Sequence, residues 1–388
     1  MQNTYFIQYY DRNPWFKVDN KPIPLYSFNN GFSQSYKAIK NYGDFIWLES
    51  GSNIPIDKGN LVISLQNSCD GLDKIIQTAK DNPQLNIVLG GPYFYVKRNL
   101  QVPDNIKVIE QTNVEEYYGL EYNPNNWGLE IPSNLYNIGY NFSLISGHGC
   151  YWGNCTYCKW ANKHNDFRVL RVNEVPIIEH EGPKIISLRT SAITTGMLQL
   201  FKTFPDRDDV YYSTYLRGDR EVLSTLRSII HQIKTNNIII SMGIEIPSNE
   251  MLSFINKGTT KETILDTLRI LHYNGIHLHL SFMLGWDNLT QNIVDEAEQW
   301  IRDFTHYIDP SNVSALLYRL MVNKQRPIYK QISSPVEQRP DGAYECVLSP
   351  EQETLNNYLR TIYHKTFQNN LVDFYERKDD YSSWKRKW

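Results

Sequence analysis

The sequence predicts an α/β protein: a Rossmann-like domain over 1–135, a parallel α/β domain over 136–334, and a C-terminal helical extension over 335–388. Three observations carry that expectation. The length, 388 residues, exceeds one typical domain. Short apolar runs alternate with segments of helical period along most of the chain, the pattern of strands feeding helices. The stretch EYNPNNWGLEIPSNLYN, rich in Asn, Pro and Gly, places a linker near 122–137.

In chain order, NTYFIQYY, DFIWLES, LVISLQNSC, NIVLGGPYFYV and IKVIEQ each read as a buried strand. Between the third and fourth, GLDKIIQTAKDN sets Leu72, Ile75, Ile76 and Ala79 on one helical face, so strand, helix and strand predict a right-handed parallel unit. From FSLIS (142–146) onward the apolar runs recur as KIISL, DVYYSTYL, NIIISMGIE, GIHLHLSFML and VSALLYRL. The clearest helix among them, KETILDTLRILHYNG, spaces Ile264, Leu265, Leu268 and Leu271 helically and stops at Gly275. The alternation predicts a parallel sheet, open or partly closed into a barrel, with ligands at the strands' carboxyl ends. Past Pro335 and Pro340, PEQETLNNYLRTIYHKTFQNNLVDFYERK predicts one or two helices, and the tail DDYSSWKRKW frays or docks.

Hydrophobic residues make up 41% and charged residues 21%, a globular balance that excludes collagen-like, disordered and membrane-embedded classes. A formal net charge of -3 gives no positive field for nucleic acid or an anionic membrane. The N-terminus lacks a basic segment followed by an apolar run, and no apolar run is long enough to span a bilayer, so the expected location is cytoplasmic. Of the 5 cysteines, Cys150, Cys155 and Cys158 crowd together, which fits a metal site in a reducing compartment better than a disulfide framework.

The strongest feature is GHGCYWGNCTYCKW, which follows a predicted strand. Thiolates are soft ligands for zinc or iron-sulfur clusters, and three of them can hold three irons of a [4Fe-4S] cube, leaving the fourth iron open. Zinc needs a fourth ligand, for which His148 or His164 is near in sequence. The bland alternative, three buried cysteines, sits poorly beside Gly147, Gly149 and Gly153.

With this segment the chain resembles the radical S-adenosylmethionine (SAM) superfamily, whose hallmark is three cysteines in a loop after the first barrel strand. The family's usual spacing is three and two; the four and two found here occurs in some branches. The resemblance covers about 140–325. It implies a partial (β/α)6 barrel, a [4Fe-4S] cluster on Cys150, Cys155 and Cys158, and bound SAM, with Tyr157 beside the adenine. SLRTSA (187–192) stands where the family carries a Gly-Gly-Glu stretch for the SAM amino group, and offers Arg189, Thr190 and Ser191 instead. VYYSTYLRGD resembles the third-strand segment in which an arginine, here Arg217, meets the SAM carboxylate, with Ser213 and Tyr215 as polar neighbours for the ribose. The run from MGIEIPSNE to FMLGWDNLT is similar to the central barrel signature and makes Glu245 and the turn at Gly285 SAM neighbours, with strand-end packing as the alternative for each.

The N-terminal domain looks like the cobalamin-binding domain that precedes the barrel in one branch. It lacks the cobalt-ligating Asp-x-His-x-x-Gly segment, so a degenerate form kept for architecture is expected, and cobalamin is not favoured. Cys69 and Cys346 are too few for a second four-thiolate cluster. Cys69 reads as core. Cys346, in a segment able to reach over the barrel mouth, resembles the C-terminal hydrogen donor of proteusin-type radical SAM peptide epimerases, with an ordinary buried thiol as the equal alternative.

The function implied is L-to-D epimerisation in a ribosomally made precursor peptide, by α-hydrogen abstraction and hydrogen return from Cys346. The partners implied are that peptide and a flavodoxin or ferredoxin as electron donor, with no nucleic acid and no membrane. Two rivals stand beside it, a cobalamin-dependent radical SAM methyltransferase and a non-catalytic zinc-stabilised peptide-binding module. His277 and His279, two apart in a strand, share one side and are expected as satisfied interior histidines.

Overall fold

The computed structural model describes residues 3–13, 17–18, 21–22, 25–28, 43–49, 52–65, 71–90, 101–109, 140–145, 147–158, 161, 168–169, 184–189, 191–338, 344–373 and 375. The expected linker at 122–137, Cys69, Thr190, His164, Pro340 and the tail lie outside them.

The N-terminal unit is built from β1 (Thr4–Asn13), β2 (Leu25–Phe28), β3 (Asp44–Glu49), β4 (Gly59–Ser64), α1 (Leu72–Asp81), β5 (Leu85–Gly90) and β6 (Ile106–Val108). All five expected strands and the helix are present. Strands β4, β5 and β6 pair in parallel, and β1 pairs in parallel with β3 and β4 but antiparallel with β2. Leu72, Ile75 and Ala79 form the buried face of α1 and join Ile7, Leu61, Ile63, Leu85 and Ile87 in a core of their own. Asp73 in the first turn of α1 and Lys80 in the last complement its dipole.

Six strands of the second unit, β7 (Tyr140–Ile145), β8 (Lys184–Arg189), β9 (Val210–Tyr215), β10 (Ile238–Glu245), β11 (His277–Leu284) and β12 (Val313–Arg319), pair in parallel in sequence order. That order runs one way without reversal, as in a barrel; a doubly wound sheet reverses at a switch point. Between the strands run α2 (Thr195–Leu198), α3 (Arg220–Ile229), α4 (Asn249–Phe254), α5 (Lys261–Tyr273) and α6 (Gln291–Tyr307). Thr194, Asp219, Ser248, Thr260 and Thr290 cap them, each side chain accepting a first-turn N–H, which fixes where each helix begins.

The C-terminal extension supplies α7 (Pro350–Phe367) and β13 (Leu371–Asp373), which pairs in parallel with β12. The sequence pattern predicts helix through this last stretch. The helix instead ends at Gln368, whose φ of 43° is left-handed, and the branched run after it is taken up by the sheet edge. Strand β2 pairs with β7 through Tyr26 opposite Tyr140 and Ser27 opposite Asn141, which joins both units into one sheet.

Strand parity sorts the barrel's side chains. Ile240, Met242 and Ile244 of β10, Leu278, Leu280 and Phe282 of β11, and Val313, Ala315 and Leu317 of β12 point outward and are buried in one core with the helices. Burying each larger one contributes roughly 1.5–3 kcal/mol. The alternate positions point inward and are mixed: Ser241, Gly243, His277, His279, Ser281 and Ser314 are small or polar and half-buried, beside the apolar Ile239, Met283 and Leu316. Tyr215, in the same cross-strand layer as Ser241 and His279, is 56% exposed. The interior therefore mixes polar and apolar side chains and opens to solvent at Tyr215.

Among the described residues no helix is long and apolar enough to cross a membrane.

Candidate functional site

The cysteine loop leaves β7 through a two-residue strand, Gly147–His148, paired antiparallel with Arg168–Val169. The loop needs a left-handed turn at Gly153, φ 59°, the residue that lies within the longer first spacer. Backbone bonds then tie it down: Thr156 donates to Ile255 O at 3.0 Å, Ile328 donates to Thr156 O at 3.1 Å, and Ser191 donates to Gly149 O at 3.2 Å. Cys155 is buried, and Cys150 and Cys158 are half-buried.

Behind the loop sits a buried polar network. The Tyr157 hydroxyl donates to Glu245 Oε1 at 2.7 Å, and Lys257 Nζ donates to the same oxygen at 2.7 Å and to Tyr157 Oη at 3.3 Å. Glu245 closes β10 with φ 65°, a left-handed conformation uncommon for a residue with a side chain. Burial, reinforced by the Glu245 charge, pushes the Tyr157 hydroxyl far above the usual phenol range. Its ring meets Trp286 edge-on at 6.2 Å.

Arg217 follows β9 and is 8% exposed. Its Nε donates to Asp219 Oδ2 at 3.3 Å, its Nη1 to Cys155 Sγ at 3.8 Å, and its Nη2 to the Lys257 carbonyl. The guanidinium also lies 5.1 Å from the Trp152 ring and 5.7 Å from the Tyr151 ring, both between the first two cysteines. Tyr151 donates to Asp219 Oδ2 and Trp152 Nε1 donates to Asn256 O at 2.8 Å. Gly258, φ 68°, leaves room for the Trp152 ring, which an added Cβ would strike.

The structure thus brings Cys155, Tyr157, Arg217 and Glu245 together. It places the other expected residues differently. Gly285 N–H donates to Asn356 Oδ1 at 2.7 Å, so that amide anchors α7. Ser213 Oγ is bonded to Ser187 Oγ at 2.6 Å, both buried. Tyr215 faces the barrel interior, Ser191 is exposed at the β8 exit, and Arg189 ends β8 with its side chain outside the description. Cys346 belongs to a small antiparallel pair, Val336–Gln338 with Tyr344–Cys346, and lies in the hydrophobic core at 1% exposure. Burial pushes its thiol up to about 12.

His279 departs from the expected satisfied interior histidine. Its Nδ1 meets Ser241 Oγ at 3.2 Å, yet among the described residues Nε2 has no hydrogen-bond partner, and burial pulls the ring down to about 4. Lys257, Asp219 and Trp152 were not legible as site residues. For Lys257 the available signal was a lysine just before Gly258, at the end of the short helix that follows Glu245.

The donor set fits an iron-sulfur cluster. Burial raises the Cys155 pKa, while the Lys257 and Arg217 charges pull it back down, so two buried cations face a sulfur that a cluster would make anionic. Among the described residues no three His, Cys, Asp or Glu side chains converge on a single metal ion. His148 and His164, which a zinc site would recruit, have side chains outside the description.

No family model matches the chain, and no curated protein matches it. Solved structures do. The apo cobalamin-dependent S-adenosylmethionine radical enzyme OxsB superposes with a TM-score of 0.60 at 12% identity, covering 94% of this chain and 66% of its own. The form of OxsB with aqua-cobalamin and S-adenosylmethionine bound gives the same values. The radical S-adenosylmethionine methyltransferase TsrM from Kitasatospora setae superposes at 0.48 with 12% identity over 84% of this chain and 77% of its own, too weakly to carry an argument. The likeness to OxsB establishes the α/β fold across both units, and this chain spans about two thirds of OxsB's length.

Proposed function

We propose that this chain is a radical SAM enzyme in which Cys150, Cys155 and Cys158 hold a [4Fe-4S] cluster. The observation that carries the reading is the three-cysteine loop at the exit of the first barrel strand, backed by the buried cations Arg217 and Lys257. A cluster bound there, with SAM, supplies a 5'-deoxyadenosyl radical able to take hydrogen from an unactivated carbon. The chain's own residues do the rest. Tyr157, Glu245 and Lys257 fix the loop from behind, the barrel interior receives the substrate, and the outward-facing core keeps the strands in register.

Within that class we favour epimerisation of a precursor peptide, with Cys346 Sγ–H as the hydrogen source and electrons from a flavodoxin or ferredoxin. The Cys346 thiol is protonated at neutral pH, as an exposed one would be, and at 1% exposure it meets a substrate radical only if the Val336–Gln338 and Tyr344–Cys346 pair moves aside. The S–H bond breaks as the new C–H bond forms, leaving a sulfur radical that an external donor of one electron and one proton restores. Reaction in deuterium oxide tests this: one deuterium at the α carbon of each D-residue supports it, and Cys346→Ala must still release 5'-deoxyadenosine without forming D-residue. Unchanged D-product from that variant removes Cys346 from the reaction.

A cobalamin-dependent methyltransferase is the second reading; the OxsB likeness, which runs through the N-terminal unit, makes a corrinoid there worth testing but does not bear on methyl transfer. Stoichiometric corrinoid in the purified protein and methylated product would establish it in place of epimerisation.

A further inference from the structure

The resemblance to radical SAM proteins implies that Arg217 meets the SAM carboxylate, yet the folded chain commits its guanidinium to protein groups. Asp219 takes Nε, the Lys257 carbonyl takes Nη2, and Nη1 points at Cys155 Sγ from 3.8 Å. Tyr151 and Trp152 flank the same group, and its side chain is 8% exposed, so the fork is held in one orientation away from bulk water.

We propose that Arg217 acts through Cys155: its Nη1–H donates a hydrogen bond to the ligating sulfur and thereby raises the reduction potential of the cluster. The inference rests on the radical SAM reading above. Adding an electron makes the cluster and its thiolates more negative. A donor and a positive charge at the sulfur stabilise that state more than the oxidised one, and low solvent exposure keeps the effect from being screened. Asp219 offsets part of the guanidinium charge but leaves the directed N–H···S bond intact. Lysine at this position would retain charge and lose the planar fork that serves Asp219, Lys257 and Cys155 at once.

The test is an electron paramagnetic resonance-monitored redox titration of the full-length, anaerobically reconstituted protein, wild type against Arg217→Gln and Arg217→Lys. The expected result is a shift of at least tenfold toward the oxidised cluster in Arg217→Gln, a midpoint 59 mV more negative for this one-electron couple, with Arg217→Lys between the two. Midpoints within twofold of wild type in equilibrium constant overturn the inference. So does a loss of SAM affinity with an unchanged potential, which returns Arg217 to the carboxylate. If Arg217→Gln takes up no iron, Arg217→Lys decides by the same twofold limit. A wild-type protein without iron would overturn the radical SAM reading itself, and this inference with it; a cluster indifferent to Arg217 overturns the inference alone.

Discussion

The Glu245 carboxylate and the Lys257 ammonium lie 2.7 Å apart, 7% and 10% exposed, and Tyr157 joins them from the cysteine loop. Removing one member strands the other's charge, and breaking a buried pair costs about 3–5 kcal/mol. Lys257→Met is expected to lose that much in urea unfolding. The double variant Glu245→Gln, Lys257→Met should recover at least half, because neither charge then remains. A single variant as stable as wild type would show that the pair contributes nothing.

Asn356 is fully buried in α7 and makes four hydrogen bonds, accepting from Gly285 N and Trp286 N and donating to Trp286 O and Gln352 O. Asn356→Leu keeps the volume and orphans two buried N–H groups at roughly 1–3 kcal/mol each. Thermal unfolding should show a loss of roughly 2–6 kcal/mol for the two together. An unchanged melting temperature would mean that the turn after β11 does not depend on α7.

Gly258→Ala puts a Cβ into the Trp152 ring at a left-handed backbone position. A loss of about 1–3 kcal/mol is expected from the strained backbone alone. The steric part should vanish in a Trp152→Ala background, so a double-mutant cycle with no coupling would refute the contact.

Cys346 provides a pH test. Its folded pKa is raised to about 12 by burial, with Asp287 adding to the shift, against about 8.5 for an exposed thiol. The folded chain therefore keeps a proton that the unfolded chain releases. The associated stability is complete below about pH 8.5 and is lost as pH rises toward 12. Peptide mapping after iodoacetamide at pH 9 should find Cys346 unmodified in the native protein and modified in urea. Equal modification in both would contradict its burial.

Period and parity made most of this fold legible. Alternation along GIHLHLSFML set leucines outward and histidines inward, and the helical spacing of KETILDTLRILHYNG gave α5. Long-range pairing was not legible in the same way. Lys257 reaches Glu245 because the chain folds back across α4, and Arg217 meets Cys155 from 62 positions away. Asn356 did leave a local trace: it occupies the stripe of Leu359, Tyr363 and Phe367 on α7, a polar residue at a core position. The C-terminal strand was missed because its pairing with β12, rather than local propensity, decides its conformation.

The central claim is that the cysteine loop holds a cluster. Anaerobic reconstitution of the full chain, followed by iron, zinc and corrinoid analysis of wild type and of the Cys150→Ala, Cys155→Ala, Cys158→Ala triple variant, tests it most directly. The account predicts about four irons per wild-type chain, none in the variant, and SAM cleavage only where iron is bound. Stoichiometric zinc without iron, or SAM cleavage retained by the triple variant, would contradict it.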